Sequence, residues 1–170
     1  TYLALEKGFA STSGIEVKAL MKVLRKTDIK FVYNATLGFS EIYLDGKNIE
    51  NEIRGIEIAN WVSEVAKQPE VRTYLVNLQR KMGEQKGIVM DGRDICTNVM
   101  QDAEFKFFIT ASAEERANRR YKELIEKGEE VSFDKVLSDI NQRDYNDTHR
   151  ELNPLRAAED ALVLDTTGMN

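Results

Sequence analysis

Short apolar runs that end in charge, alternating with stretches of helical period, constrain the fold of this chain more than any other feature. Gly87-Ile88-Val89-Met90 empties into Asp91-Gly92-Arg93-Asp94, and Ala161-Leu162-Val163-Leu164 ends on Asp165. In an open parallel α/β sheet, ligands bind beyond the carboxyl ends of the strands, so two carboxylates and a guanidinium gathered there argue for a site. An Asp-Gly pair after a strand also reads as a plain turn.

The rest of the chain fits the same alternation. Ile15, Val17, Leu20, Met21 and Leu24 follow the start signal Ser11-Thr12-Ser13-Gly14 and predict a short helix over 15–24. From Ile29 to Ile49 the pattern turns to β, with Ile29, Phe31 and Tyr33 alternating and Asp45-Gly46 as a favoured hairpin turn. Helices are expected over Glu57–Val65 and Val71–Met82, separated by Gln68-Pro69, and a strand over Gly87–Met90. Phe105–Thr110, with Phe107, Phe108 and Ile109 in succession, predicts a strand covered on both faces. Ala113, Ala117, Tyr121, Leu124 and Ile125 form the stripe of a helix that Gly128 closes. A further helix starts near Ser132 and buries Val136, Leu137 and Ile140, before a final buried strand over Ala161–Asp165. The expected class is α/β, a parallel sheet with helices on both faces and a small antiparallel insert.

At 170 residues the chain is long enough for one domain with a smaller inserted element. Its 24 Lys plus Arg against 29 Asp plus Glu give a formal charge of −5, which argues against extended contact with nucleic acid or anionic membrane. The longest apolar runs cannot span a bilayer, and Thr1–Lys7 lacks the pattern of a secretory signal. Cys96 is the only cysteine, which suits a reducing cytosol; His149 is the only histidine, so sites needing several His or Cys ligands are not expected.

Three charged groups are candidates for chemistry. Arg93 and Asp94 form the first. Arg116, Arg119 and Arg120 form the second, covering an arc of about 100° on a helical projection. Three guanidiniums on one arc can clamp a polyanion, but Glu115 and Glu123 flank Arg119 at helical spacing, and surface pairing is the reading that spacing alone favours. The third group, Arg143, Asp147 and Arg150, would share one helix face. Its mixture of guanidinium and carboxylate suits either a self-paired surface or a nucleoside monophosphate.

In order along the chain, these segments resemble the bacterial cytidylate kinases: Glu52-Ile53-Arg54, Ala59-Asn60 with Ser63, Pro69-Glu70-Val71-Arg72, Asp91-Gly92-Arg93-Asp94, Ala113-Glu114-Glu115-Arg116 with Arg119-Arg120, Glu126-Lys127-Gly128, Arg143-Asp144, Pro154-Leu155 and Ala161–Asp165. The resemblance covers essentially the whole chain. It implies a P-loop kinase fold, a three-layer α/β/α arrangement with a mostly parallel sheet. Residues 1–170 would form a single kinase domain, with a CMP-binding antiparallel insert over 29–65 and a helical lid over 116–150. The implied reaction moves a phosphoryl group from ATP to CMP or dCMP, with Mg2+, in a cytoplasmic protein expected to be a monomer.

By the same resemblance Ser63, Arg72 and Asp94 read cytosine, Arg93 and Arg150 hold the CMP phosphate, and Arg143 and Asp147 lie near the ribose. Arg116, Arg119 and Arg120 belong to the lid, with Arg119 the leading candidate to stabilise the transferring group. Asp91 would orient magnesium-bound water, and no direct metal ligand is implied. The sequence departs from the family in lacking the Gly-x-x-x-x-Gly-Lys-Ser/Thr loop, which the family places ahead of the point where this chain starts, and in lacking the family's final helix. The chain alone is therefore expected not to catalyse efficient transfer. Cys96 and Gln101 stand where the family has glycine and proline. Two other readings stay open at this point: a CMP-binding regulatory module without kinase activity, and a related small-molecule kinase with a different acceptor.

Overall fold

The computed structural model describes residues 1–84 and 86–169, which divide into two compact units, Thr1–Leu75 and Val76–Asn170. In the first unit a short helix α1 (Tyr2–Glu6) precedes a hairpin of β1 (Ala10–Ser11) and β2 (Gly14–Ile15), then α2 (Val17–Leu24). Helix α2 begins later than the apolar spacing predicts. Ser11-Thr12-Ser13-Gly14 makes the hairpin turn instead of a helix cap, and Gly14 has φ +123°, open to glycine and strained for other residues.

An antiparallel meander follows: β3 (Ile29–Asn34), β4 (Phe39–Leu44) and β5 (Lys47–Asn48). Its register runs from Ile29 opposite Leu44 to Asn34 opposite Phe39. The expected Asp45-Gly46 turn is present, with φ of 49° and 82°, the left-handed pair that a two-residue hairpin requires. Helices α3 (Ile56–Ala66) and α4 (Pro69–Gly83) come next, Pro69 opening α4 where no donor is needed. Leu3, Ala4, Leu20, Met21, Leu24, Val65 and Val71 form the core of this unit, with Ile29, Leu44 and Tyr74 packed against it.

The second unit holds the remainder of α4, a π turn at Ile95–Val99, a parallel pair of strands and two helices. Strands β6 (Phe107–Thr110) and β7 (Leu162–Asp165) pair with Phe107 opposite Leu162 and Thr110 opposite Asp165. Between them run α5 (Ala113–Glu126) and α6 (Phe133–His149). Ser112 Oγ accepts from Glu115 N at 3.1 Å to cap α5, and Ser132 Oγ accepts from Lys135 N at 3.3 Å to cap α6. Gly128, with φ +78°, closes α5 as expected. The two helices bury Ala117, Leu124 and Val136 and set Tyr121 edge-on to Phe133, with centroids 6.1 Å apart.

Three expectations need correction. Gly87–Met90 enters no strand ladder, Val89 is fully exposed, and the chain turns through positive φ at Lys86 and Gly87. Nor are β6 and β7 covered on both faces: Ile109 is 67% exposed, and Leu162, Val163 and Leu164 are exposed too. A parallel strand is buried only when neighbours flank it, and among the described residues these two pair only with each other.

Candidate active site

The loop that leads into the site is shaped by Gly92. A Cβ there would lie 2.9 Å from Ile95 Cγ1 and 3.0 Å from its Cδ1, so any larger residue would force the Ile95 side chain to shift, and glycine lets the loop fold back over the turn that follows. Asp94 starts that turn. Its carbonyl accepts from Asn98 N at 2.9 Å and Val99 N at 3.3 Å, and Met100 N reaches Ile95 O at 2.7 Å, a π spacing.

Helix α6 supplies the opposite wall. Spacings of four and three bring Arg143, Asp147 and Arg150 together, as the sequence pattern predicts. Asp147 is 5% exposed and collects three guanidiniums: Arg93 Nε donates to Oδ2 at 3.3 Å, while Arg143 Nε and Arg150 Nη1 stand 3.8 Å from its two oxygens. The buried Arg150 also pairs with Asp94 through Nη2 at 3.3 Å and donates from Nε to Asn153 O at 2.7 Å. Leu155 N closes the segment back onto Asp147 O at 2.8 Å.

The cluster carries three guanidiniums (Arg93, Arg143, Arg150) on two carboxylates (Asp94, Asp147), an excess of positive charge. Burial, and after it the nearby Arg93, pushes Arg143 below the ordinary arginine value, against the pull of Asp147 and Asp144. Cations crowded this way favour an added anion. Arg93 remains substantially exposed, and so stands where a ligand could reach it.

The three arginines of α5 do not form one clamp. Arg116 crosses to α6 and holds Asp144 in a two-pronged pair at 3.0 and 2.6 Å. Arg119 pairs with Glu115 at 3.1 Å and donates to Thr166 O at 2.7 Å and Met169 O at 3.0 Å, beyond the end of β7. Arg120 returns to Glu123 at 2.7 Å on its own helix. Ser63 lies in α3 and Arg72 in the first turn of α4, both in the Thr1–Leu75 unit. Asp91 is exposed and makes no hydrogen bond or ion pair among the described residues.

Two contributors escape the pattern reading. Asp144 holds Arg116, and Asn98 donates through Nδ2 to Asp94 Oδ2 at 3.0 Å. The first was detectable as a carboxylate on α6 facing a parallel row of arginines on α5. The second follows from an i, i+4 spacing that becomes visible only once 94–98 is known to be helical.

The family model described as cytidylate kinase matches residues 1–170. The chain belongs to the cytidylate kinase family. A cytidylate kinase of Flavobacterium johnsoniae is 48% identical over 169 residues, covering 99% of this chain and 74% of the relative. One from Bacteroides thetaiotaomicron is 44% identical over 170 residues, covering 100% and 74%. One from Caldicellulosiruptor saccharolyticus is 49% identical over 154 residues, covering 91% and 67%. The match runs the length of the chain, across the residues of both the meander and the guanidinium cluster.

Proposed function

We propose that the cluster around Asp94, Arg150 and Asp147 is the acceptor half of a cytidylate kinase site, where CMP or dCMP receives a phosphoryl group from ATP. Family membership makes the chain a nucleoside monophosphate kinase, a phosphotransferase. The observation that carries the acceptor-site reading is the buried Arg150 held between two carboxylates, with Arg93 and Arg143 adding positive charge. A phosphate supplies the missing anion. Arg93 and Arg150 would grip it, and Asp147 and Arg143 would meet the ribose.

Asp94 suits the exocyclic amino group of cytosine, because a carboxylate only accepts. Uracil presents a carbonyl at that position, so acceptor would face acceptor and UMP would be disfavoured. Arg72 and Ser63 are the donors proposed for the ring edge. Residues 29–65 would form the CMP insert and 116–150 the lid, with Arg116, Arg119 and Arg120 moving toward the transferring group as ATP binds. For Arg119 this means giving up Thr166 and Met169. Closure of that kind excludes water as a competing acceptor.

Mg2+ is the ion the family implies. No group of three or more candidate ligands exists among the described residues, whereas the exposed Asp91 carboxylate fits an ion held mainly by substrate phosphates and water. When bound, Mg2+ would spread the charge of the phosphates; Asp91 would orient its water. No helix among the described residues is long and apolar enough to cross a membrane. A monomer in the cytosol that does not bind nucleic acid completes the reading; the charge of −5 argues against a nucleic-acid partner, and the single cysteine suits the cytosol.

The test is coupled ADP release by the protein expressed from its own open reading frame, with CMP, dCMP, UMP and AMP as acceptors. CMP and dCMP should turn over best, and Asp94→Ala should cut the preference for CMP over UMP by about tenfold or more. Equal turnover of CMP and UMP by the unmodified protein refutes the assignment.

A further inference from the structure

We propose that Asn98 is a positioning residue for acceptor specificity, aiming the Asp94 carboxylate at the base. The inference rests on the reading of Asp94 as the group that meets cytosine.

Asn98 sits between opposite charges. Its Nδ2 donates to Asp94 Oδ2 at 3.0 Å, while Arg80 Nη2 donates to Asn98 O at 2.6 Å and approaches Asn98 Oδ1 at 3.3 Å. An amide has one donating and one accepting end, so a guanidinium on one side and a carboxylate on the other fix which way it faces. Arg80 thus sets the amide, and the amide sets one oxygen of Asp94. Arg150 takes the other oxygen at 3.3 Å.

The backbone reinforces this arrangement. The Asp94 carbonyl accepts from Asn98 N and Val99 N, so main chain and side chain of the turn both close on the same residue. A carboxylate on a single-bonded side chain would otherwise rotate, and a misplacement near 1 Å at a reacting or reading group can cost about a hundredfold. With one oxygen hydrogen-bonded to the Asn98 amide and the other ion-paired with Arg150, the orientation of Asp94 is biased before any base arrives. Preorganisation of this kind favours the ligand that matches the preset geometry, so it acts on discrimination more than on turnover.

The experiment uses Asn98→Leu, which keeps the volume and removes the donor, and Asn98→Asp, which keeps the shape and turns the donor into an acceptor facing Asp94. Steady-state assays would measure KM for CMP, UMP and ATP alongside kcat. Asn98→Leu should raise KM for CMP about tenfold and lower the CMP-to-UMP preference to a similar degree, with KM for ATP and kcat changing less than about twofold. Asn98→Asp should lose more. Arg80→Met, which leaves Asn98 in place, should lower the preference by a smaller factor and serves if the Asn98 variants do not fold. A purely structural role would change KM for CMP, UMP and ATP together. An unchanged preference in Asn98→Leu, or in Arg80→Met where it stands in, overturns the role of Asn98 if Asp94→Ala abolishes that preference. If Asp94→Ala leaves the preference intact as well, the cytosine assignment itself falls.

Discussion

Asp147 answers to three guanidiniums at once while almost wholly buried. Removing one side of a buried charge group costs more than the group contributed, because the partners left behind stay desolvated and unpaired. Asp147→Asn should therefore destabilise the protein by about 3 kcal/mol, read as a lower urea midpoint at unchanged slope. Arg93→Ala, at the exposed edge of the same cluster, should cost well under half as much. Comparable losses from the two would show that Asp147 is not the centre of the cluster. This part of the site was legible in sequence because Arg143, Asp147 and Arg150 follow helical spacing. The pairing of Asp147 with Arg93 was not, since it joins groups far apart in the chain and depends on how the loop at Gly92 turns.

Helix α5 shows what a local pattern can and cannot carry. Glu123 accepts from Lys127 and then Arg120, and these hydrogen bonds hold its carboxyl below the usual range. A depressed carboxylate contributes stability above its unfolded value, and that contribution is lost as pH falls through the folded value. Glu123→Gln should therefore flatten the acid limb of the stability curve below about pH 4.5, by a few tenths of a kcal/mol since the pair is largely exposed. Thermal melts of both proteins at falling pH would check it, and parallel acid limbs would contradict it. The start of α6 at Ser132, the closing Gly128 and the Asp45-Gly46 turn were legible because each is decided within a few residues, whereas the start signal at Ser11–Gly14 made a hairpin turn. Gly87–Met90 was not. Three apolar residues after a glycine suggest a segment that avoids water, whereas a strand exists only where a neighbour accepts its hydrogen bonds.

Across the whole molecule, the strand pairings of the two compact units differ in how far they reach along the chain. In the first, the meander pairs neighbours in sequence, with Ile29–Asn34 against Phe39–Leu44. The second must join β6 to β7 across more than fifty residues. The match to the family along the entire chain says that both units belong to one enzyme design, even though the charge pattern that points to a nucleotide lies mainly in the second. Family membership was readable from many short motifs in order, because order along a chain survives where any single motif would be ambiguous.

The parallel pairing of β6 and β7 has a consequence for the order of assembly. Drawing two strands together across a long flexible loop costs entropy that grows as about (3/2)RT ln n. Helices α5 and α6, joined by a short connection and clasped by Arg116 and Asp144, can form first and shorten that loop before the strands meet. In pulse-labelled hydrogen exchange during refolding, amides of α5 and α6 should gain protection ahead of those in β6 and β7. The reverse order would mean that the strands act as the nucleus. The excursion between the strands would thus be the tether that makes their meeting fast enough to compete with misfolding.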